Sequence, residues 1–456
     1  MLFLSRSNRI FSRPMMRGKL MLAAPLLLVL LVLPALLAGQ DSWKTTEEAA
    51  ARAGKAAHFD EAEKLLSTNL KSAETLAAKD PRRPRTLLDL AEVYRAEGKY
   101  SEALPLYERA LQIYTRIYGA EATEVADTLD GEAELYKSLN DYAHAEPLLL
   151  HALDIRQKLL HPGDPDIAQA ENDLGETYTA TGAFDKAEPL LTESLASRKK
   201  NPGPESADVA QSLESLGTLY LKSGRAQQAE DSFRQAVGIF GKTVGGSHPD
   251  YANALENLAL CYGARRDFAD AEPLLQRVLE IRQTVFGPEH RDVAASLENL
   301  AALKRSERKP EEAAALYERA ISIWEKVLGP DSPDLAADLN NLGAIYEVSK
   351  EKQRAEPLFL RAAALDEKAL GPDSPELGTD LNNLGLLYYF MKRYDDSQKV
   401  YQRALKIRVK ALGDRDPAVA ETMNSYANVL QALHRDADAR QMEAQARAIT
   451  DGRTAK

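Results

Sequence analysis

The chain has 456 residues, 44% of them hydrophobic and 28% charged, with a formal net charge of −11. Five basic residues, Arg6, Arg9, Arg13, Arg17 and Lys19, fall in an acid-free leader, so the rest carries 53 basic against 69 acidic residues, a net of −16. A surface of that sign repels phosphate backbones, which excludes nucleic acid from the expected partners. The lone Cys261 forms no internal disulfide and reads as a buried, inert thiol.

In chain order the first feature is Leu20 to Ala38, a run of 19 uncharged residues interrupted only by Pro25 and Pro34. Such a run has to meet a membrane. It is longer than an average signal-peptide core and just long enough to span, while Leu37 and Gly39 make a mediocre small-x-small cleavage site. Residues 1–39 therefore read either as a cleaved signal peptide or as a retained N-terminal membrane anchor. Both readings keep the basic residues cytosolic and export the rest of the chain. The expected location is extracytoplasmic, periplasmic or secreted, or anchored by residues 20–38 with the repeats outside. Gln40 stands where a lipid-bearing cysteine would come after Leu37-Ala38-Gly39, which argues against lipidation.

Beyond the leader one regularity dominates. Ala103, Ala145, Ala187, Ala229, Ala271, Ala313, Ala355, Ser397 and Ala439 succeed one another at a constant spacing of 42 residues. A fixed period in this range marks a solenoid whose units bury their apolar faces only against their neighbours, so length here counts repeats and not domains. A degenerate first repeat occupies residues 43–83, the regular array residues 84–436, and a capping helix with its tail residues 437–456.

Within one unit, Leu339, Leu342, Gly343 and Tyr346, and then Ala355, Phe359 and Ala362, recur at spacings of three and four, which predicts two helices. Gly343 and Ala355 fall where the pair has to approach closely. Gly98 and Gly182 suit a left-handed helix end in a short turn, so the helices are antiparallel. Pro105, Pro147, Pro189, Pro273 and Pro357 stand two residues after the marker, in or near the first turn of the second helix. At the links, Asp80-Pro81, Asp164-Pro165, His248-Pro249, Ser332-Pro333, Ser374-Pro375 and Asp416-Pro417 read as a helix cap and then the first helical residue.

Leu339-Asn340-Asn341-Leu342-Gly343 with Tyr346, Ala355, Phe359 and Ala362 resembles the tetratricopeptide repeat, and the 42-residue unit with its Leu-Gly-Pro-Asp-Ser-Pro-Asp linker is similar to the kinesin-light-chain variety. The resemblance covers about residues 84 to 449, with a weaker unit from Trp43 to Lys79. It implies an all-α, right-handed superhelical solenoid of about nine antiparallel hairpins that acts as an adaptor. Glu132 and Glu171 stand at leucine positions, which predicts looser packing there. Lys304 replaces the tyrosine, and Glu443 replaces the last aromatic, as suits a terminal helix with one face in water.

Few residues suggest chemistry. Ala236 to Thr243 loosely matches a phosphate-binding loop, but it continues a helix with no strand before it, and Val237 and Phe240 fall on apolar positions. Gly238, Gly241, Gly245 and Gly246 read instead as a softened helix end about which the two halves of the array flex. His248 and His290 are one repeat apart without spaced partners, so no metal and no cofactor is expected. No nucleophile, metal or dyad motif is present, so the chain is expected to be non-catalytic and to take no small-molecule substrate.

The remaining pattern is a row of amides. Asn257, Asn299, Asn341 and Asn383 recur between the two leucines of the first helix, joined by Asn340 and Asn382 and continued by Ser425 and Asp173. In tetratricopeptide arrays that side is the inner, concave one. Two readings stand together: the amides clasp the backbone of an extended peptide or partner segment, or they bond neighbouring helices and hold the stack in register. Tyr389 and Phe390 add an aromatic patch fit for a hot spot or for burial against the next unit. Arg109, Arg277, Arg319, Arg361 and Arg403 read as a salt-bridged face or as a grip for an acidic segment. The main rival function is a structural part of an envelope complex that packs through its edges.

Overall fold

The computed structural model describes residues 33–55, 58–349 and 351–454. The leader up to Val32, and Lys350 in one turn, lie outside the described residues. Among those described, no helix is long and apolar enough to cross a membrane.

The described residues form helices and no strand, in two compact units that part between Val244 and Gly245. The first unit holds five hairpins: α1 (Leu33–Lys55) with α2 (Phe59–Ala73), α3 (Arg82–Glu97) with α4 (Tyr100–Tyr118), and α5 (Thr123–Ser138) with α6 (Tyr142–Leu159) come first. Next are α7 (Pro165–Thr181) with α8 (Phe184–Lys200), and α9 (Ala207–Lys222) with α10 (Ala226–Thr243). The second unit opens with α11 (Pro249–Arg265) and α12 (Phe268–Phe286), α13 (Arg291–Ser306) and α14 (Pro310–Leu328), and α15 (Ala336–Val348) and α16 (Lys352–Leu370). It ends with α17 (Pro375–Phe390) and α18 (Tyr394–Leu412), then α19 (Pro417–Ala432) and α20 (Asp436–Thr454). The expected nine hairpins are thus ten among the described residues, because the weak unit folds as a hairpin whose Leu66 and Ala62 are buried with Leu90 and Val93 of the next.

Small residues set the spacing inside each pair. Every marker from Ala103 to Ala439, Ser397 included, is fully buried. A Cβ added to Gly343 would lie 2.7 Å from the Phe359 ring, so only glycine lets α15 approach that aromatic on α16. Where the facing side chain is the smaller Leu149 or Leu275, Ala133 or Ala259 takes the glycine's place in the register, and all four side chains are buried. Gly175 keeps the glycine against Leu191, where an added Cβ would lie 2.7 Å from the side chain, so a small residue at this place is general and its size is set pair by pair.

The turns obey the same economy of position. Gly98 and Gly182 end their helices in the left-handed region, at φ of 87° and 79°. Asn140, Arg266, Arg308, Lys392 and His434 occupy the equivalent place with positive φ although they carry a Cβ. Asp164, His248, Ser374 and Asp416 cap the next helices by accepting a backbone N–H within the first turn. Two links depart from expectation. Pro81 is itself the residue before α3, with the Asp80 carboxylate accepting from the Arg82 N–H, and Pro333 opens a short 3-10 turn, Pro333–Leu335, ahead of α15.

The prolines after the markers lie deeper than the first turn. Each is the sixth residue of its helix, as Pro105 is in α4, so it removes one hydrogen bond that a first-turn proline would spare. The Gly238 and Gly241 positions are continuous helix, and α10 ends at Thr243, next to the division between the units. Glu132 and Glu171 do not open their hairpins. Both are buried, and burial pushes their carboxyls up, Glu171 to about 7. Lys304 reaches the carboxylate of Glu272, as Tyr178 reaches Glu146 and Tyr388 reaches Glu356, which explains why a lysine serves at a tyrosine position. Glu443 is half-buried on α20 and accepts from Gln431, with exposed Ala444 and Ala448 beside it.

Candidate interaction surface

In each unit the first helices carry, at two consecutive places, the polar residues that face their neighbours. One place holds Asn172, Glu256, Asn340 and Asn382; the next holds Ser215, Asn257, Asn299, Asn341 and Asn383. In three cases the first place of one hairpin bonds the second place of the hairpin after it. Asn172 donates to Ser215 at 3.2 Å, Asn299 donates to Glu256 at 2.8 Å, and Asn383 donates to Asn340 at 3.3 Å. These bonds are buried or half-buried, so they tie adjacent helices in register and leave no slack for a shifted pairing.

The predicted residues therefore separate. Asn299 is buried against Glu256, and Asn340 donates to Asp380 at 2.5 Å while accepting from Asn383. Asn382 is buried with its Oδ1 unpaired. Asn257, Asn341 and Asn383 are half-exposed, and Asn341 accepts from the exposed Arg305 at 3.0 Å. Tyr389 is half-buried against the Tyr401 and Tyr426 cluster of the last two hairpins, with its ring 5.6 Å from that of Phe390. Phe390 itself is 49% exposed, and Lys352 Nζ lies 5.1 Å from its ring centre.

Around the half-exposed amides the helical spacing sets a stripe. Asn253, Asn257, Leu260 and Ala264 line α11; Ala337, Asn341, Ala344 and Val348 line α15; Thr379, Asn383, Leu386 and Phe390 line α17. All of them are half-exposed or exposed. Ala337 and Ala344 flank Asn341, Thr379 and Leu386 flank Asn383, and Asn253 and Leu260 flank Asn257, so a chain laid across the stripe meets donors and acceptors at the repeat interval with no charged side chain in line.

A second polar layer is not legible in the sequence. Arg156, Arg198, Arg282 and Arg408 are buried at one register position of the second helices. Arg282 donates to both carboxylate oxygens of Glu256, to Asn253 and to Ser296 of the next hairpin, all at 2.8 Å. Arg198 and Arg408 likewise reach forward to Ser212 and Thr422. Their period is visible along the chain, but without the fold a row of arginines reads as solvated. By contrast the arginines singled out from sequence lie nearer the surface: Arg361 pairs with Glu325 at 2.5 Å, both half-buried, and the exposed Arg403 pairs with Glu367 at 2.6 Å. Lys242, the lysine of the loose phosphate-loop match, pairs with Glu205 on the surface.

No group of three or more acidic, histidine or cysteine side chains able to hold a metal occurs among the described residues. His248 and His290 instead accept the backbone N–H of Asp250 and Asp292 at 3.2 Å.

An array of antiparallel hairpins stacked through small residues, with polar rows on the first helices, defines a helical repeat scaffold. The chain belongs to the tetratricopeptide repeat family, whose model matches at residues 55–111, 82–158, 166–242, 238–284, 250–326, 292–368, 339–408 and 377–451. No curated protein matches it. Among solved structures it is similar to BtubC (BKLC) from P. vanneervenii, 23% identical over 51% of this chain and 91% of that one, with a TM-score of 0.41. It is similar also to a putative kinesin light chain with nearly identical repeats from Podosopora anserina, 26% identical over 45% and 96%, with a TM-score of 0.39. The apo quorum sensor NprR from B. thuringiensis is 13% identical over 80% of this chain and 98% of its own, with a TM-score of 0.51.

Proposed function

We propose that this protein-interaction scaffold works without catalysis outside the cytoplasm, taking an extended peptide or partner segment along the first-helix face of residues 249–390. The carrying observation is the recurrence of half-exposed Asn257, Asn341 and Asn383 at one register position, with uncharged side chains on either side of each along its helix. Amides that both donate and accept suit a peptide backbone of any sequence, and the flanking residues leave room for its side chains. Asn299, Asn340 and Asn382 serve the stack in this reading, and Tyr389 supports Phe390 at the end of the stripe.

The test is a display library of unstructured peptides selected on the full chain, and then Asn257→Ala, Asn341→Ala and Asn383→Ala introduced together. Selected peptides should bind the triple variant at least about tenfold more weakly, the loss expected from roughly 1.4 kcal/mol of hydrogen bonding, with stability lowered by no more than about 1 kcal/mol, the share of the Asn383–Asn340 bond. Equal binding, or an empty selection, would sink the reading. Export is tested apart from it, by the mature N-terminus of the protein in fractionated cells.

A second reading has its own support. Leu328, Leu370 and Leu412 recur at one register position near the ends of the second helices and are 38%, 52% and 40% exposed. A repeated apolar edge favours lateral assembly with an envelope complex or another copy, and sedimentation of the chain with these leucines changed to Ser would separate the two.

A further inference from the structure

The buried layer between hairpins is built from three register positions: one on the first helix, one on the second, and one on the first helix of the next hairpin. Between α11/α12 and α13 they hold Glu256, Arg282 and Ser296, one anion and one cation. Between α13/α14 and α15 the same positions hold Glu298, Trp324 and Asp338; between α15/α16 and α17 they hold Asn340, Asp366 and Asp380. Each of these two junctions thus brings together two carboxyl groups, Glu298 half-buried and the other three buried, with no cation among its three members.

The carboxyls of each pair act on one another electrostatically. Glu298 faces Asp338 and accepts from Trp324 Nε1; Asp366 faces Asp380, whose Oδ1 accepts from Asn340. Asp338, Asp366 and Asp380 are buried, and Asp380 Oδ2 meets no N–H or hydroxyl donor. Two carboxyls that face each other away from water do not both ionise, so one keeps its proton. The surrounding charges do not relieve them. Glu256 and Tyr317 face the first pair with Arg305 farther along α13, and Glu376 faces the second. Arg408 of α18 spends its guanidinium on Thr379, Thr422 and the carbonyl of Ala418.

We propose that Glu298–Asp338 and Asp366–Asp380 are proton-sharing pairs that hold α13, α15, α16 and α17 together below neutral pH and loosen those junctions in alkali. Burial first, and the neighbouring carboxyl second, push Asp338 up from its ordinary value; burial does the same for Asp380, with Asp366 adding to it against the bond from Asn340. A carboxyl whose folded pKa is raised contributes stability that is fully present below the unfolded carboxylate range and is lost as pH climbs through the folded value. Alkali is therefore the destabilising direction for both pairs.

The test compares urea unfolding of the full chain with that of Asp338→Asn/Asp380→Asn, in which an amide replaces the shared proton and cannot ionise. From pH 5.5 to 9 the parent midpoint should fall by roughly 0.5–1 M more than that of the double variant. Parallel curves would overturn the proposal. Should the double variant not fold, hydrogen exchange of the parent chain decides: after correction for intrinsic rates, peptides over residues 291–390 should lose protection at pH 9 relative to those over residues 417–454. Equal loss in both segments would overturn it as well.

Discussion

The junction after the sixth hairpin and the junction after the eighth place their polar atoms at the same three positions, yet one is closed by Arg282 between Glu256 and Ser296 and the other by Asp366 against Asp380. The apolar contacts inside the hairpins are of one kind at both: Ala271 and Ala355 are fully buried alike, and Gly343 sits against Phe359. The apolar layer fixes geometry, and the polar layer decides what breaking each junction costs. A buried ion pair is a weak source of net stability but an expensive one to cut on one side, whereas an acid pair that shares a proton has no buried cation or anion that depends on an opposite charge, so an amide can replace one member at small cost.

The largest expected effect breaks that comparison directly. Arg282→Ala leaves Glu256 buried without its cation and should cost about 3–5 kcal/mol in urea unfolding, while Asp366→Asn at pH 6 should cost less than about 1 kcal/mol. Next in size is the geometric layer. Gly343→Ala drives a methyl into the Phe359 ring and should cost about 1–3 kcal/mol, and Phe359→Leu in the same chain should recover part of the loss, since Ala259 with Leu275 already shows that combination.

Glu171 sharpens the same contrast, since it is a buried acid where the equivalent hairpins carry Leu255, Leu297 and Leu339. With its folded pKa up near 7, the glutamate loses stability as pH rises toward that value, so Glu171→Leu should stabilise by about 1–2 kcal/mol at pH 8 and by little near pH 4. Melting curves at the two pH values check it. The smallest effect lies at the turns: Arg308→Gly should add about 0.5–1 kcal/mol by removing a Cβ from the left-handed region.

Much of the architecture is readable along the chain, and for local reasons. The marker alanines, the Asn140-to-His434 turn position and the cap residues each act within a few residues of themselves, so their periodicity announces the hairpins. The proline depth and the count of hairpins differ from expectation because the first needs the true helix start and the second rests on a repeat whose apolar pattern is faint. Spacing locates the amide row, but spacing alone leaves ligand and register readings level. The fold puts Asn299 under Glu256 and leaves Asn341 half-exposed beside Arg305. The buried arginines and acid pairs escape a sequence reading, since charged residues on a helix are by default solvated.

Sequence by itself determined the repeat length, the two-helix unit and the family, because these depend on side-chain volume and backbone preference at fixed offsets. Only the tertiary structure decided which polar residues share a junction. Glu298 with Asp338, and Asp366 with Asp380, are separated along the chain and meet only when one hairpin stacks on the next, where the exclusion of water turns a spacing into an electrostatic constraint.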